Sequence, residues 1–220
     1  DIRAEANLRD RDTQRLVAAV EVFHDLASGS GNATLDTDAL RFDAAFQPED
    51  LTYLAKGTIA NTRGLVSGQG RIRWADGTID SGGEYFSADL DFAAPFGPVE
   101  GASGTLVFTD LLAFETAPSQ TFQVRSINPG IEVNDGEITL ALRRGFEIGI
   151  EGGRWPFMGG TLTLRPTDVR FGEGEVRRFT LVVDGLQASR FIERFELANL
   201  SATGTFAGRL PLVFDDSGGR

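Results

Sequence analysis

Strands with alternating apolar and polar residues, separated by turns that contain Gly, occupy residues 127–164. The apolar positions of two of these strands are Ile138, Leu140, Leu142, Phe146, Ile148 and Ile150. Because successive side chains of a β-strand point to opposite faces, such strands have one apolar face and one solvated face. The segment holds no pattern typical of a catalytic centre, so it indicates the wall of a sheet.

The same alternation predicts strands along most of the chain. They are expected near 2–9, 15–25, 32–44, 57–64, 67–75, 78–93, 104–109, 120–127, 136–142, 145–151, 160–165, 168–172, 176–184 and 201–210. Dense Gly, Asn and Asp turn signals between them favour consecutive antiparallel hairpins. Two short helices are predicted. One covers 48–55, with Pro48 as its first residue and Gly57 as the signal that stops it, and the other covers 189–197, with Ser189 as its cap. The fold class is therefore all-β with two short helices.

Composition excludes several functions. The formal net charge of -11 argues against a nucleic-acid partner, since nucleic-acid binding needs clustered Lys and Arg. The chain has no Cys, so it has neither disulfides nor thiolate chemistry. No apolar run approaches the roughly 20 residues of a membrane-spanning helix.

The chain begins at Asp1 and its one Met is Met158. We therefore expect residues 1–220 to be a single segment of a longer polypeptide.

The aromatic residues are mostly Phe, with 17 Phe against two Tyr and two Trp. Many fall on the apolar parity of their strands, which predicts one continuous apolar face. The predicted lining is Phe86, Leu90, Phe92, Leu106, Phe108, Phe122, Val124, Ile138, Leu140, Leu142, Phe146, Ile148, Ile150, Leu162, Leu164, Phe171, Phe179, Leu181, Val183 and Phe206. Periodicity alone leaves open whether this face lines an open groove or packs as the core of a closed β-sandwich.

Five segments resemble the C-terminal region of YdbH-like proteins, which belong with the AsmA and TamB type envelope proteins. They are FTDLL at 108–112, INPGIEV at 127–133, EGGRWPF at 151–157, Gly185 and Leu186 with the helix to Phe195, and ATG at 202–204 running to GRLPL at 208–212. The resemblance is good over 95–220, and over 1–95 it is one of general texture.

The resemblance implies a long antiparallel sheet curled into an open β-groove, whose apolar concave face carries phospholipid acyl chains between inner and outer membranes. It implies a periplasmic protein anchored in the inner membrane by parts outside this chain. It also implies a small outer-membrane lipoprotein that adds a strand at the C-terminal end. We further expect residues 210–214 to offer an unpaired edge to a partner or to a continuation of the chain. No enzyme activity, cofactor or metal is implied.

Three polar groupings raise alternatives. His24 and Asp25 near Ser28 or Ser30 form an incomplete hydrolase pattern, and a polar pair at a strand end explains them better. The Gly-Ser-Gly sequence at 29–31 lacks the Lys of a phosphate-binding loop and is typical of a turn. Paired acids, Asp89 with Asp91 and Glu147 with Glu151, would suit an enzyme acting on envelope polysaccharide or a calcium site. Acidic residues on the solvated face of a sheet are the simpler explanation.

Residues 154–157 are harder to assign, because two large aromatic residues flank a Pro that cannot donate a hydrogen bond within a sheet. Trp155 and Phe157, with Arg154, are either a buried anchor that closes a hairpin or part of a groove lining or gate.

Overall fold

A computed structural model of the chain describes residues 1–52, 55, 59–94, 96–129, 131–145, 147–170, 175–196, 199–215 and 218–219. Its strands are β1 (Ile2–Arg9), β2 (Leu16–His24), β3 (Gly31–Phe42), β4 (Ala60–Ala75), β5 (Thr78–Ala94), β6 (Gly97–Asp110), β7 (Glu115–Thr116), β8 (Gln120–Ile127), β9 (Val133–Arg143), β10 (Glu147–Phe157), β11 (Gly160–Leu164), β12 (Thr167–Arg170), β13 (Arg177–Gln187), β14 (Thr205–Asp215) and β15 (Gly218–Gly219). The helices are α1 (Pro48–Leu51) and α2 (Ala188–Arg194).

All strands belong to one antiparallel sheet that does not close into a barrel. The order is β1-β2-β3-β4-β5-β6-β8-β9-β10-β11-β13-β14-β15, with β7 paired to β6 and β12 paired to β10. Neighbours in the sheet are nearly always neighbours in sequence, as the dense turn signals require. The predicted all-β fold, an open antiparallel sheet with two short helices, is confirmed.

The strand registers give the sheet one apolar face, because residues directly opposite each other on adjacent strands point to the same side. We call this the inner face. It carries Val22, Ala33, Ile72, Leu106, Phe122, Ile138, Trp155, Leu162 and Val183. The opposite, outer face carries mostly polar residues, among them Glu21, Thr34, Arg71 and Thr139.

The C-terminal part of the sheet curls so that its inner face meets itself. Four strands, β8 to β11, separate β6 from β13 in the sheet order. A flat sheet would therefore hold β6 and β13 roughly 24 Å apart. Yet Phe96, which immediately precedes β6, lies 6.1 Å from Phe179 on β13, and Phe179 lies 5.7 Å from Phe214 on β14, measured between ring centroids.

This curl creates the largest apolar cluster in the described residues. Its buried members are Val133, Ile150, Trp155, Leu162, Leu164, Val169, Phe179, Val183, Leu186 and Phe214. They come from six different strands, so burial of this one face holds the curl together. At about 25 cal/mol for each Å² of apolar surface removed from water, this burial is the main favourable contribution to folding in this part of the sheet.

The N-terminal part of the sheet leaves its inner face more accessible. Ile2 is 47% exposed, Leu8 is 48% exposed and Ile79 is 66% exposed, although all three lie on the inner face. The buried cluster in this part consists of Leu40, Phe42 and Phe46 beside α1. Inner-face residues of the central strands, such as Leu35, are half-buried. The same sheet is therefore open at one end and curled shut at the other.

A β-bulge in β5 overturns one expectation about which residues share a face. The pairing with β6 shifts between Ser87 and Leu90, so three steps along β5 match two steps along β6. An odd number of extra residues reverses the side to which later side chains point. Phe86 therefore lies on the outer face, 49% exposed, while Leu90 and Phe92 lie on the inner face.

The elements differ from the predicted ones mainly at their ends. The two strands expected at 57–64 and 67–75 are one strand, β4, that passes through its bulges without a turn. Helix α2 begins at Ala188, so Ser189 lies within it, and Gln187 occupies the cap position. In the first predicted helix, Tyr53, Leu54 and Gly57 lie outside the described residues.

Replacing Phe179 with Ala tests the curl. Phe179 is 7% exposed and contacts both Phe96 and Phe214, so its removal should lower the free energy of unfolding by about 3–5 kcal/mol. The matched control is Phe86→Ala, which should change stability by no more than about 0.5 kcal/mol because that ring lies on the outer face. Urea unfolding followed by circular dichroism measures both. Equal losses would contradict the assigned faces.

Candidate functional site

The curled part of the inner face encloses an apolar cavity. The cavity is small, with a volume of about 50 Å³. Its lining consists of Phe96, Ile127, Pro129, Val133, Ile138, Ile150, Trp155, Leu162, Leu164, Phe179, Leu181, Leu212 and Phe214. No charged side chain contributes to this lining. A site with such walls can bind hydrocarbon, and it offers no group for acid–base or nucleophilic chemistry.

Six residues of the predicted lining contribute directly to this cavity: Ile138, Ile150, Leu162, Leu164, Phe179 and Leu181. Ile148 and Val183 pack in the surrounding cluster, and Leu90, Phe92 and Val124 pack in the adjoining one around Val99 and Ala102. The registers place Leu106, Phe108, Phe122, Leu140, Leu142 and Phe206 on the same inner face.

Three residues of the predicted lining remain. Phe86 lies on the outer face because of the bulge in β5. Phe146 and Phe171 lie outside the described residues.

Sequence reasoning missed several wall residues. Leu212 and Phe214 continue the parity of Phe206 along β14, so extending the predicted strand beyond residue 210 would have found them. Phe96 and Pro129 lie in turns, where alternation gives no signal. The inner face of β1 to β4 was also missed, because small residues such as Ala4 and Ala33 there alternate along the face with larger ones such as Leu8 and Ile72.

Helix α2 carries a second aromatic group beside the cavity wall. Phe191 packs against the large cluster and lies 5.7 Å from Phe206 and 4.7 Å from Phe195, measured between ring centroids. Phe195 and Phe206 are 43% and 44% exposed. The apolar surface of the curled part therefore extends beyond the cavity toward the end of the sheet.

Residues 154–157 divide between the two faces. Arg154 is exposed on the outer face opposite Glu137, while Trp155 is 3% exposed on the inner face. Phe157 is partly buried against the large cluster. Pro156 is accommodated in β10 opposite Thr161 of β11.

The Trp155 ring lies over two glycines. A Cβ atom at Gly136, directly across on β9, would lie 1.9 Å from Cδ1 of the indole, and one at Gly153 would lie 2.5 Å from Cη2. Since real Cβ atoms do not approach so closely, only Gly at these positions leaves room for the ring. Glycine inside a strand often marks such a close approach.

The acid pairs occupy the outer face, where arginines bind Asp89, Asp91 and Glu147, and Ser119 donates hydrogen bonds to Glu151. Arg125 contacts Asp89 at 3.0 Å and Asp91 at 3.4 Å. Glu147 accepts hydrogen bonds from Arg170 and Arg143, each at 2.9 Å. These bonds, that from Arg170 first, hold the pKa of the Glu147 carboxyl below its usual value. A glycosidase needs a carboxylic acid whose pKa is raised, so this arrangement does not favour that chemistry.

The polar groups near His24 form structural contacts. The indole nitrogen of Trp74 donates to Nδ1 of His24 at 3.1 Å. The Asp25 carboxylate accepts from the Ala27 amide at 2.9 Å and from the Ser28 hydroxyl at 2.8 Å, an arrangement typical of a turn. The hydrogen bond from the Ala27 amide is the main reason that the pKa of Asp25 is lowered. His24 and Ser28 thus have different partners.

The described residues contain neither a cluster of metal-binding side chains nor a membrane-spanning helix. No group of three or more His, Cys, Asp or Glu side chains there could hold a metal ion. Neither helix in the described part of the chain is long and apolar enough to cross a membrane.

Comparison with known protein families gives a match over the whole chain. The family model for the YdbH-like group, described as intermembrane phospholipid transport protein YdbH, matches residues 1–220. The match includes the N-terminal strands, beyond the five segments at 108–212 that carried the resemblance. Neither the curated proteins nor the solved structures contain a match to the chain.

Replacing Gly136 with Ala tests the position of Trp155. The added methyl group should displace the indole and lower the free energy of unfolding by about 1–3 kcal/mol. Gly208→Ala on β14 is the control, since a Cβ there meets no atom within 4 Å. This control should be neutral or stabilising by about 0.5–1 kcal/mol. Thermal unfolding and the near-ultraviolet signal of tryptophan report both changes. An unaltered tryptophan signal in Gly136→Ala would contradict the contact.

Proposed function

Because this chain belongs to the YdbH-like family of intermembrane phospholipid transport proteins, we propose that its inner face carries phospholipid acyl chains along the sheet. The observation that supports this most is the continuity of that face. It carries apolar side chains from β1 to β14 while the outer face is polar. In this proposal residues 1–220 act as one segment of the transport path.

The energetics of an apolar path favour movement along it. Each CH₂ group removed from water contributes about 0.8 kcal/mol, so an acyl chain remains bound as long as it contacts apolar walls. Moving from one set of Leu, Ile, Val and Phe side chains to the next changes this free energy little. A continuous lining therefore holds the chain strongly without fixing it at one place.

The headgroup stays in water in this proposal. Burying an unpaired charge costs far more than burying a methylene group contributes, and the cavity walls hold no charged side chain to offset that cost. An open groove allows the acyl chains to lie on the inner face while the headgroup projects through the opening. The accessible inner face of the N-terminal strands suits this arrangement.

The proposal also includes the location of the protein in the cell. A protein that moves phospholipid between two membranes lies in the periplasm, and in this proposal the full-length protein is anchored in the inner membrane by parts outside residues 1–220. At the other edge, β14 pairs with β13 along its length and with β15 only at Phe214 and Asp215. The remaining edge of β14 could accept an added strand from a small outer-membrane lipoprotein.

The two alternative functions that the sequence suggests fit the structure of the sheet less well. A closed β-sandwich requires two sheets about 10 Å apart, whereas the described strands form a single sheet that curls on itself. A polysaccharide enzyme requires a cleft with paired carboxylates, whereas the acid pairs lie on the outer face, where Asp89, Asp91 and Glu147 contact arginines and Glu151 binds Ser119.

Photo-crosslinking at adjacent positions tests which face holds lipid. A photoreactive amino acid at Ile138, which lines the cavity, should label co-purifying phospholipid. The same amino acid at Thr139, whose hydroxyl pairs with that of Thr121 on the outer face, should give only background labelling. Mass spectrometry of the labelled protein measures both. Equal labelling at the two positions, or none at Ile138, would count against transport along the inner face.

A charge placed on the open part of the inner face should obstruct the path. Leu35→Asp puts a carboxylate among half-buried apolar residues, where an acyl chain passing over it would impose a desolvation cost of several kcal/mol. The matched control is Thr34→Asp, which adds the same charge one residue away on the exposed outer face.

The readout for these two variants is the amount of phospholipid that co-purifies, with circular dichroism to establish that each is folded. We expect a clear loss for Leu35→Asp and none for Thr34→Asp. Undiminished lipid in a folded Leu35→Asp protein would show that the N-terminal strands are not part of the path.

A further inference from the structure

The open and the curled parts of the inner face differ in the room that they leave for a ligand. In the N-terminal part Ile2, Leu8 and Ile79 are exposed, so an acyl chain can lie against them without any rearrangement. The curled part encloses a cavity of only about 50 Å³. An engineered apolar cavity that takes up benzene measures about 150 Å³. An acyl chain has many more carbon atoms than benzene, so the curled part cannot hold one in this conformation.

Two walls meet where the curl closes. Phe96 and Ile127 lie in the first wall, at the ends of β6 and β8, and Phe179 and Leu212 lie in the second wall, on β13 and β14. Across the closure the rings of Phe96 and Phe179 meet edge to face, with their centroids 6.1 Å apart and their planes at 75°. Apolar packing between these side chains therefore holds the two walls together.

The hydrogen-bonded ladders of the sheet do not span this closure. In the described part of the sheet, β6 pairs with β5, β7 and β8, and β13 pairs with β11 and β14. The two walls can thus separate while every one of these ladders stays intact. The free energy that opposes separation is that of exposing apolar side chains to water.

The turn that carries Phe96 is fixed to the first wall. The backbone amide of Asn128 donates to the carbonyl oxygen of Pro98 at 3.1 Å. A Cβ atom at Gly97 would lie 2.0 Å from the carbonyl oxygen of Asn128, so the two turns pack closely. The Phe96 ring therefore stays with β6 and β8 when the second wall moves away.

An acyl chain can offset the free energy that this separation requires. It covers the side chains that opening exposes, and each of its CH₂ groups removed from water contributes about 0.8 kcal/mol. Because the acyl chain fits the open form and not the closed one, its binding shifts the equilibrium toward the open form.

We propose that the contact between Phe96 and Phe179 is a gate, which opens when a phospholipid acyl chain passes from the open part of the inner face into the curled part. This inference rests on the proposed function and adds that passage through this segment requires a change of conformation at one identified contact. Without lipid the gate stays closed, because the two rings then shield each other from water.

A photoreactive phenylalanine analogue in place of Phe96 tests the gate, because it keeps an aromatic ring at that position. The protein is the 220-residue chain, and the lipid is dioctanoyl phosphatidylglycerol. Irradiation without lipid should join position 96 to the peptide that contains Phe179. With lipid present, we expect the yield of this intramolecular product to fall several-fold and a lipid adduct at position 96 to replace it. Peptide mapping by mass spectrometry measures both products.

Two further positions serve as controls. The same analogue in place of Phe86, on the outer face, should give no lipid adduct. A photoreactive leucine at Leu35, on the open part of the inner face, should label lipid whether or not the gate opens. If the protein with the analogue at position 96 does not fold, the analogue in place of Phe179 gives the same comparison through the peptide that contains Phe96.

The outcomes separate the gate from the proposed function. Lipid labelling at Leu35 together with an unchanged yield of the intramolecular product would overturn the gate and leave acyl-chain binding by the open part standing. Absence of the intramolecular product without lipid would also overturn the gate, since the two walls would not be closed in solution. Absence of lipid labelling at both Leu35 and position 96 would contradict the proposed function and the gate together.

Discussion

Every other feature of this protein depends on strand registers that keep the apolar side chains of successive strands on the same face. The constraint is strict, because a shift of one residue in a strand moves all of its side chains to the other face. Where a β-bulge adds an extra residue to a strand, the alternation of apolar and polar residues shifts at the same place. The pairing of β3 with β4 shifts between Thr37 and Leu40, and Leu40 and Phe42 remain buried. The pairing of β9 with β10 shifts after Ile150, and Trp155 still lies on the inner face. The bulges thus bend the sheet without breaking the continuity of its apolar side.

A sheet with one apolar face must cover that face, and this chain does so unevenly. In the C-terminal part the large residues curl around one another, with Phe179 between Phe96 and Phe214. In the N-terminal part inner residues such as Ile2, Leu8 and Ile79 are exposed, and no second layer covers them among the described residues. Proteins rarely expose a large apolar face to water unless another molecule binds to it. The difference between the two parts therefore supports the view that the inner face has an apolar occupant.

The sequence was sufficient to predict the fold class and much of the wall, because alternation over long strands is a strong signal. Ile138, Leu162 and Leu181, which parity alone assigns to one apolar face, share the inner face in the structure. Parity failed at Phe86, since a bulge after Ser87 cannot be read from the spacing of apolar residues. It also gave no information on Phe96, which lies in a turn, or on the contact of Phe96 with Phe179, because the curl depends on the summed twist of many strands. Whether the face was open or closed could be learned only from the structure, which shows both conditions in one sheet.

The uniformity of the apolar wall bears on how the proposed path works. A lining of equivalent side chains gives nearly the same binding free energy at every position, so in this proposal an acyl chain has no preferred stopping place. The largest side chain of the wall, Trp155, fits this pattern because Gly136 and Gly153 leave room for its ring close to the backbone. The ring thus adds apolar surface to the wall while it lies against the sheet backbone.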